Sequence, residues 1–239
     1  MLSIKEIFIY VGSRLGDKSK TLKFINNVLD EVYNSIGHDK VKVTTYTAKD
    51  TKINRCEGCL GCFLTGKCSL DKEDDMKTIK DNMLRSDIII LATPVYVHNV
   101  SGDMKIFIDR ISYWTHLMRL SGKIGIVAST SGGNGLELVN NYLYKIMTYM
   151  GVKIKGKFGV CEDNIDENYI KSVEKFSRVI IEYIKGKKVE TDDILEAVFK
   201  ATKNTMEKLR PYKSAEFQYW KESKLIECNS FKEVLEMLR

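Results

Sequence analysis

The sequence predicts an α/β protein with a five-stranded parallel sheet, helices on both faces of the sheet, and a helical C-terminal extension. Short apolar segments alternate with amphipathic helical patterns through residues 1–185, which is typical of a parallel sheet covered on both faces. Residues 87–92 (DIIILA) are mostly apolar, as expected of a central strand buried on both sides. Residues 186–239 look helical and highly charged. We therefore predict two domains, 1–185 and 186–239.

The predicted elements follow one another along the chain in regular alternation. Segments rich in β-branched and aromatic residues predict strands at 6–11, 41–47, 87–92, 123–128 and 152–160. Apolar residues at helical spacing predict helices at 20–36, 76–84, 104–117, 136–150 and 166–185. The carboxyl ends of parallel strands meet at one edge of such a sheet, so we expect a ligand in the loops that follow them.

Composition narrows the class of protein. The 239 residues are 44% hydrophobic and 29% charged, with a net charge of +6, which is ordinary for a globular protein. The basic residues are spread along the whole chain, whereas a nucleic-acid protein would concentrate them on one element. No apolar stretch approaches the roughly 20 residues of a bilayer helix, and the N-terminus lacks a long signal-peptide core. We expect a cytoplasmic protein with no nucleic-acid or membrane partner.

The first of three loops at this edge covers residues 12–21, between the first strand and the first helix. Its glycines, hydroxyls and helix N-terminal amides could bind an anion. Lys18 and Lys20 would oppose the helix macrodipole, and a bound phosphate would turn that repulsion into attraction. The other interpretation is a capped surface turn. The loop matches neither G-x-G-x-x-G nor the P-loop, so a dinucleotide fold or an NTPase is unsupported.

The second and third loops are predicted at residues 93–102 and 129–135. Pro94 fixes the exit direction of the second loop, and Tyr96 and His98 could present flat or polar faces to a ligand. The third loop contains consecutive glycines, which let a ligand approach the main chain. Each loop alone could be an ordinary connection. Three such loops at one sheet edge predict a ligand site.

Two motifs connect these loops to a known family. The T-P-V-Y segment at 93–96 and the S-G-D-M-K-I-F-I-D-R-I segment at 101–111, together with the G-S-x-x-x-x-x-S-x-T loop, resemble flavodoxin-like NAD(P)H-dependent FMN reductases. The cysteine segment that precedes Asp74-Asp75-Met76 is similar to the iron-sulfur flavoprotein branch of that group. The resemblance covers residues 4–160 and implies a flavodoxin-like FMN-binding domain. It does not cover 186–239.

The resemblance implies a set of FMN contacts. The phosphate would be held by Ser13, the backbone of Arg14 or Leu15, Ser19, Lys20 and Thr21, although the family often carries Asn in place of Lys20. The isoalloxazine ring would lie against Pro94, Val95, Tyr96, Val97, His98 and Asn99. Further contacts would come from Ser129, Thr130, Ser131, Gly132, Gly133 and Asn134. The resemblance also implies NAD(P)H as hydride donor and a homodimer or homotetramer.

Four of the six cysteines lie close together as Cys56-x2-Cys59-x2-Cys62-x5-Cys68. Three cysteines at this spacing resemble the segment that binds an iron-sulfur cubane in ferredoxins. Structural zinc is a second interpretation, although zinc ribbons and fingers normally separate two cysteine pairs by a dozen or more residues. Free thiols are the third. Cys161 and Cys228 are isolated in sequence and are expected to be core or surface thiols.

The first hypothesis is an FMN enzyme that takes a hydride from NAD(P)H and passes electrons to a small acceptor, such as a flavin or quinone, with or without an iron-sulfur cluster. Because the flavin carries the chemistry, no protein acid, base or nucleophile is named. The alternatives are an electron carrier between redox proteins and a thiol-based redox sensor. The aromatic patch of Phe217, Tyr219 and Trp220 could cover the site, complete an interface or pack in a core.

Overall fold

A computed structural model describes residues 4–161, 165–212 and 214–238. The strands are β1 (Lys5–Val11), β2 (Val41–Thr47), β3 (Ile88–Tyr96), β4 (Asn99–Val100), β5 (Ile124–Ser131) and β6 (Lys153–Cys161). The five long strands are parallel in the order β2-β1-β3-β5-β6, and β4 pairs with β3 alone. This is the flavodoxin-like order, in which the chain reverses direction across the sheet between β1 and β3. The predicted fold class is confirmed.

Helices cover both faces of the sheet. They are α1 (Lys20–Ile36), α2 (Gly61–Thr65), α3 (Met76–Arg85), α4 (Gly102–Arg110), α5 (Trp114–Leu117), α6 (Leu136–Tyr149), α7 (Glu167–Ile184), α8 (Asp193–Leu209), α9 (Ala215–Glu222) and α10 (Phe231–Met237). Side chains alternate across β1 because strand geometry has a period of two. Ile7 and Ile9 pack in one core with α1 and α7, and Phe8 and Tyr10 pack in the other with α3, α4 and α6.

The strands at the carboxyl edge are longer than predicted, because pairing continues past the apolar segments. β1 ends where Val11 pairs with Ala92, but β3 and β5 stay paired as far as Pro94 and Thr130. Pro94 lies beyond the last residue paired with β1, where a missing N–H is tolerated. Residues 93–96 and 129–131 are therefore strand, and the prediction that they are loop was wrong.

β3 and β4 form a hairpin that the sequence pattern did not predict. Val95 pairs with Val100 and Tyr96 with Asn99, which leaves Val97 and His98 as the two turn residues. Both have positive φ, 50° and 59°, as a type I′ turn requires. Asn-Gly is the usual signal for this turn, and a β-branched residue rarely adopts positive φ.

The C-terminal extension is helical, as predicted, and forms a third core. Leu195 and Phe199 of α8 pack there with Trp220, and Met118 from the α/β body joins them. The indole N–H of Trp220 also donates to the carbonyl of His116 at 2.8 Å. Trp220 is therefore a core residue. The division into domains at 185/186 stays a prediction. Within the described ranges, no helix has both the length and the apolar character needed to cross a bilayer.

Candidate functional site

The backbone at the start of the first loop is held close to the second segment. The Gly12 N–H donates to the Ala92 carbonyl at 2.8 Å, and the Ser101 hydroxyl donates to the Gly12 carbonyl at 2.6 Å. A Cβ on Gly12 would lie 2.7 Å from the Cβ of Met104, so only glycine fits. This packing holds the Gly12 backbone against the base of α4 at the point where the sheet order reverses.

The N-terminus of α1 forms the other end of this loop. The Ser19 hydroxyl caps the helix by accepting the Leu22 N–H at 3.1 Å. Gly16 has φ +53°, and a Cβ there would lie 2.7 Å from Nζ of Lys49. Lys49 thus brings an ammonium group to the loop, and sequence reasoning missed it. The signal was available, because Lys49 lies two residues after the end of β2 and so at the same sheet edge.

Arg14 uses its side chain within the protein. Its guanidinium makes a bidentate pair with Asp103 in the first turn of α4, with Nη2 to Oδ1 at 2.7 Å and Nε to Oδ2 at 2.9 Å. The hydrogen bond that Arg14 donates to the Asp103 carboxylate raises the pKa of Arg14. Ser13 is buried, whereas Leu15 and Lys20 are exposed. The main chain of Arg14 and Leu15, rather than the Arg14 guanidinium, is therefore what this loop offers a ligand.

A buried pair of hydroxyls joins the first and third segments. Thr21 Oγ1 and Thr130 Oγ1 lie 2.7 Å apart and are both buried. Ser129 is also buried, and its hydroxyl donates to the Leu136 carbonyl at 3.4 Å. All three residues are buried; Thr21 and Thr130 join α1 to β5, and Ser129 joins β5 to the start of α6.

The glycine turn after β5 is exposed and internally braced. Ser131 donates to the Asn134 carbonyl at 2.7 Å and accepts the Gly133 N–H at 3.1 Å. A Cβ on Gly132 or Gly133 would have no neighbour within 4 Å, so their backbone is open to approach. The turn thus presents main chain to solvent in a fixed shape.

The β3–β4 hairpin touches this turn. A Cβ on Gly135 would lie 2.8 Å from Cγ1 of Val95 and 3.2 Å from Cα of His98. Beside this contact, Tyr96 is 53% exposed and Val97 is 94% exposed. The Asn99 side chain accepts the Val100 N–H at 2.8 Å, which stiffens the hairpin. The predicted second and third segments therefore do meet at one edge.

The cysteine segment, residues 56–68, lies between β2 and α3. Cys56 and Cys59 are exposed, Cys62 and Cys68 are partly buried, and all four thiols are free. Burial raises the pKa of the Cys62 thiol, and the charges of Cys68 and Cys56 raise it further. In the part of the chain that the structure describes, no three or more Cys, His, Asp or Glu side chains stand close enough to hold a metal ion.

Arg110 fastens both ends of the cysteine segment. Its side chain has no exposed surface, and its Nη1 donates to the Asn54 carbonyl at 2.9 Å, just before the segment. After the segment, the same guanidinium binds the carboxylate of Asp74 and, at 2.8 Å, that of Asp71. Asp74 in turn accepts the Asn54 N–H at 2.8 Å. One buried cation therefore fixes where the segment starts and where it ends.

The ionisation of this network follows from its burial and pairing. Burial alone would lower the pKa of Arg110, but its hydrogen bonds to Asp74 and Asp71 raise it. Burial likewise opposes ionisation of Asp74, but the hydrogen bonds from Arg110, Asn54 and Met76 lower its pKa. Lys80 completes the network with bonds of 2.9 and 2.8 Å to Asp71. Arg110 and the Asp74 carboxylate thus stay charged at neutral pH.

The residues at this edge fit FMN. A capped helix N-terminus and the ammonium of Lys49 suit a phosphate. The exposed apolar side chains of Leu15, Tyr96 and Val97 suit a flat aromatic ring that would cover them. The switch point between β1 and β3 is also where flavodoxin-like sheets bind FMN.

The cysteine segment fits an iron-sulfur cluster by the chemistry of its donors, because sets of four cysteine thiolates hold such clusters. Gly58 and Gly66 both have positive φ, 68° and 75°, and each lies in open space, so the segment can adjust around a bound group. No three of these thiols are grouped closely enough in the structure to hold a metal ion, so binding would require them to converge between their fixed ends.

Comparison with known proteins identifies the class. The family described as NADPH-dependent FMN reductase matches residues 6–164, and the chain belongs to that family. It is an NAD(P)H-dependent flavin oxidoreductase with FMN as cofactor. Residues of the C-terminal extension lie outside this match.

Two curated relatives are called iron-sulfur flavoproteins. One, from Archaeoglobus fulgidus, is 29% identical over 206 residues, which cover 84% of this chain and 93% of the relative. The other, from Clostridioides difficile, is 26% identical over 180 residues, 72% of this chain and 76% of the relative. Among solved structures, an NADH:FMN oxidoreductase in its apo form matches with a TM-score of 0.57 and 19% identity. The match covers 77% of this chain and 91% of the oxidoreductase chain, and it shows that the two share a fold.

Proposed function

We propose that this flavin oxidoreductase binds FMN at the carboxyl edge between β1 and β3 and passes electrons to a small acceptor, a flavin or quinone, through an iron-sulfur cluster on Cys56, Cys59, Cys62 and Cys68. The observation that carries the proposal is the meeting of three loop segments at this edge beside a thiol segment that Arg110 fastens at both ends. The names of the two relatives support the cluster.

The chain's own residues would bind and orient the cofactor. The phosphate position would be surrounded by Ser13, the backbone of Arg14 and Leu15, Ser19, Lys20 and Thr21. Pro94, Val95, Tyr96, Val97, His98 and Asn99 would lie against the ring. The third side would be formed by Ser129, Thr130, Ser131, Gly132, Gly133 and Asn134.

Bound FMN supplies the redox chemistry, since it takes a hydride from NAD(P)H and returns electrons to an acceptor. NAD(P)H gives up two electrons and one proton. With a second proton taken from water, the acceptor gains two electrons and two protons.

The contact between the cysteine segment and α4 supports electron transfer between the two sites. Arg110, the last residue of α4, donates to the Asn54 carbonyl at 2.9 Å, just before the cysteine segment. The first turn of the same helix binds the phosphate loop through Asp103 and Arg14. One helix thus separates the two predicted redox groups.

The phosphate position can be tested by comparing FMN with riboflavin. Ser19→Asp keeps a favourable helix cap but puts a carboxylate beside the phosphate. We expect FMN to bind at least about tenfold more weakly, because like charges repel in a partly desolvated site. Riboflavin, which has no phosphate, should bind equally to both proteins. Equal loss of both ligands, or of neither, would place the phosphate elsewhere.

Stopped-flow mixing with NADH or NADPH tests the enzyme against the carrier. The enzyme predicts bleaching of the flavin band near 450 nm within seconds, followed by reoxidation on addition of a quinone. A carrier predicts no bleaching with either nicotinamide but reduction by a low-potential redox protein. A thiol sensor predicts neither.

Anaerobic reconstitution with iron and sulfide tests the cluster. We expect broad absorption near 400 nm that is lost in Cys59→Ser and retained in Cys161→Ser, a matched control at an exposed cysteine. Zinc in place of iron in the purified protein would favour a structural site, and absence of both metals would favour free thiols.

We also propose a homodimer or homotetramer, because Tyr96, Val97 and Leu138 of α6 expose apolar surface. Light scattering of the purified protein tests this. A redox protein partner and the cytoplasmic location stay predictions.

A further inference from the structure

A cavity of about 480 Å³ lies beside the cysteine segment, on the side that faces the C-terminal extension. Its walls come from residues 62–84, from α5 with Arg119, and from Ala215, Glu216 and Tyr219 of α9. None of the three segments proposed for FMN lines it. Its size suits a ligand of two or three fused rings. The family match ends at residue 164, so the wall formed by α9 lies outside the residues that match the family.

Aromatic side chains form one side of this cavity. Tyr113 and Trp114 are 7% and 2% exposed, and Tyr219 faces the same space from α9. Burial raises the pKa of Tyr113 to about 12, so its hydroxyl stays protonated and can donate a hydrogen bond. Flat apolar faces with a few fixed polar groups are what a planar aromatic ligand requires.

Basic side chains form the rest of the lining. Five basic and three acidic residues line the cavity among those described, which leaves a surplus of positive charge. Lys80 is 5% exposed, and its ammonium lies 5.3 Å from the centre of the Tyr113 ring. Lys67 and Lys72 are exposed and lie where a ligand's anionic group could meet them. The electrostatics therefore favour an anion.

The wall contributed by α9 is fixed to the body. The carboxylate of Glu216 accepts a hydrogen bond from Nδ1 of His116 at 2.6 Å, and the Tyr219 ring lies 4.8 Å from the guanidinium carbon of Arg119. On the opposite side, Phe63 of α2 packs edge-on against His116 with centroids 5.1 Å apart. The extension therefore closes one side of the cavity, held there by the contacts of Glu216 and Tyr219 with the body.

We propose that this cavity is the binding site for the electron acceptor, a planar aromatic anion, and that the C-terminal extension determines its selectivity. The role as acceptor rests on the proposed function, because Cys62 lines the cavity and would bring the ligand next to the proposed cluster. Binding of the anion itself depends only on the residues that line the cavity and does not require the cluster. A neutral or cationic ring of the same size would bind more weakly.

Calorimetric titration of the FMN-loaded protein with anthraquinone-2-sulfonate tests the site. Tyr219→Ala should weaken binding about tenfold, as expected for loss of one aromatic face. Lys72→Glu should weaken it about fivefold, with a difference that shrinks as salt is added. Because Lys72 is exposed, Lys72→Glu should fold normally, and it tests the site even if Tyr219→Ala destabilises the protein. Tyr212→Ala, in the same extension but 78% exposed, and Lys188→Glu, at a cavity on the opposite sheet edge, should bind as the parent does.

Binding that is unchanged in both cavity variants would overturn the proposal and would place the quinone on the flavin. Equal weakening in the controls would overturn it as well. A third outcome separates the two proposals. If the cavity variants lose binding but NAD(P)H does not drive quinone reduction in the parent protein, the binding site stands and the proposed electron route is rejected.

Discussion

At Arg110, a single guanidinium with no exposed surface holds the carboxylates of Asp71 and Asp74 and the Asn54 carbonyl. Buried ion pairs contribute little over a well-packed apolar core, but removing one partner is costly because the other charge stays buried. The buried pairs therefore add little net stability compared with an apolar core, whereas loss of Arg110 alone is costly and would release both ends of the cysteine segment.

We predict that Arg110→Gln lowers the free energy of unfolding by about 3–5 kcal/mol at pH 7. The hydrogen bonds from Arg110, Asn54 and Met76 lower the pKa of Asp74 in the folded state. Its contribution is present above the unfolded pKa and is lost as the pH falls through the folded pKa. The difference from the parent should thus shrink below pH 4.

Urea unfolding followed by circular dichroism from pH 3 to 8 measures this difference. Arg178→Gln, on the exposed face of α7, is the matched control and should change little. A difference that stays constant across the pH range would contradict the assignment to Asp74.

The Cys62 thiol provides a second prediction at the scale of a residue. Its pKa is raised by burial and by the charges of Cys68 and Cys56, which favours the unreactive protonated form. In the metal-free protein, alkylation of Cys62 by iodoacetamide should have its midpoint above pH 9.0, the usual thiol value. Mass spectrometry of the labelled peptide measures it, with the exposed Cys161 as reference. Cys68→Ser should move the midpoint down, and no movement would show that burial acts alone.

Among the elements, the β3–β4 hairpin carries the most backbone strain. Val97 and His98 both have positive φ, and such positions cost about 1–3 kcal/mol each for residues other than glycine or asparagine. Strain of this kind persists where the surrounding structure imposes it, often at ligand sites. The side chain of Val97 is almost fully exposed, so its packing in this chain does not explain why a valine is present.

Replacing the turn by Val97→Asn with His98→Gly should stabilise the FMN-free protein, because Asn-Gly is the preferred type I′ pair. We expect the Tm to rise by about 2–4 °C and the FMN affinity to fall severalfold, since the apolar cover of the ring is removed. Thermal unfolding and flavin fluorescence measure the two effects. Val97→Thr keeps the branched side chain and should leave the Tm unchanged. A higher Tm with unchanged FMN affinity would remove Val97 from the flavin site.

Elements with a local signal were predicted well. α1 was predicted at 20–36 and runs over Lys20–Ile36, because its apolar face and its Ser19 cap are both local. The β3–β4 hairpin was missed because its turn lacks Asn or Gly, and β3 was predicted too short because Thr93 and Pro94 interrupt the apolar pattern. The Arg110 network was not foreseen, since its partners lie 36 to 56 positions away.

For the whole molecule, the question is whether the extension folds as a separate unit. It has its own core around Phe199 and Trp220, yet Met118 of the body is part of that core. Lys153 of β6 also pairs with Asp192 at the start of α8. The contacts on both sides suggest that the two predicted domains stay associated even without a covalent link.

A protease site inserted between Gly186 and Lys187 tests this association, because both residues are exposed. After cleavage, we expect the two fragments to elute together at the volume of the uncleaved protein and to separate only in denaturant. Trp220→Ala is the matched variant, since it leaves a large void in the shared core, at a cost of about 3–5 kcal/mol, and removes the bond to the His116 carbonyl. Its cleaved fragments should separate without denaturant. If the fragments of the parent chain separate on cleavage alone, the extension is an independent domain, and its α9 wall could not hold a fixed acceptor site.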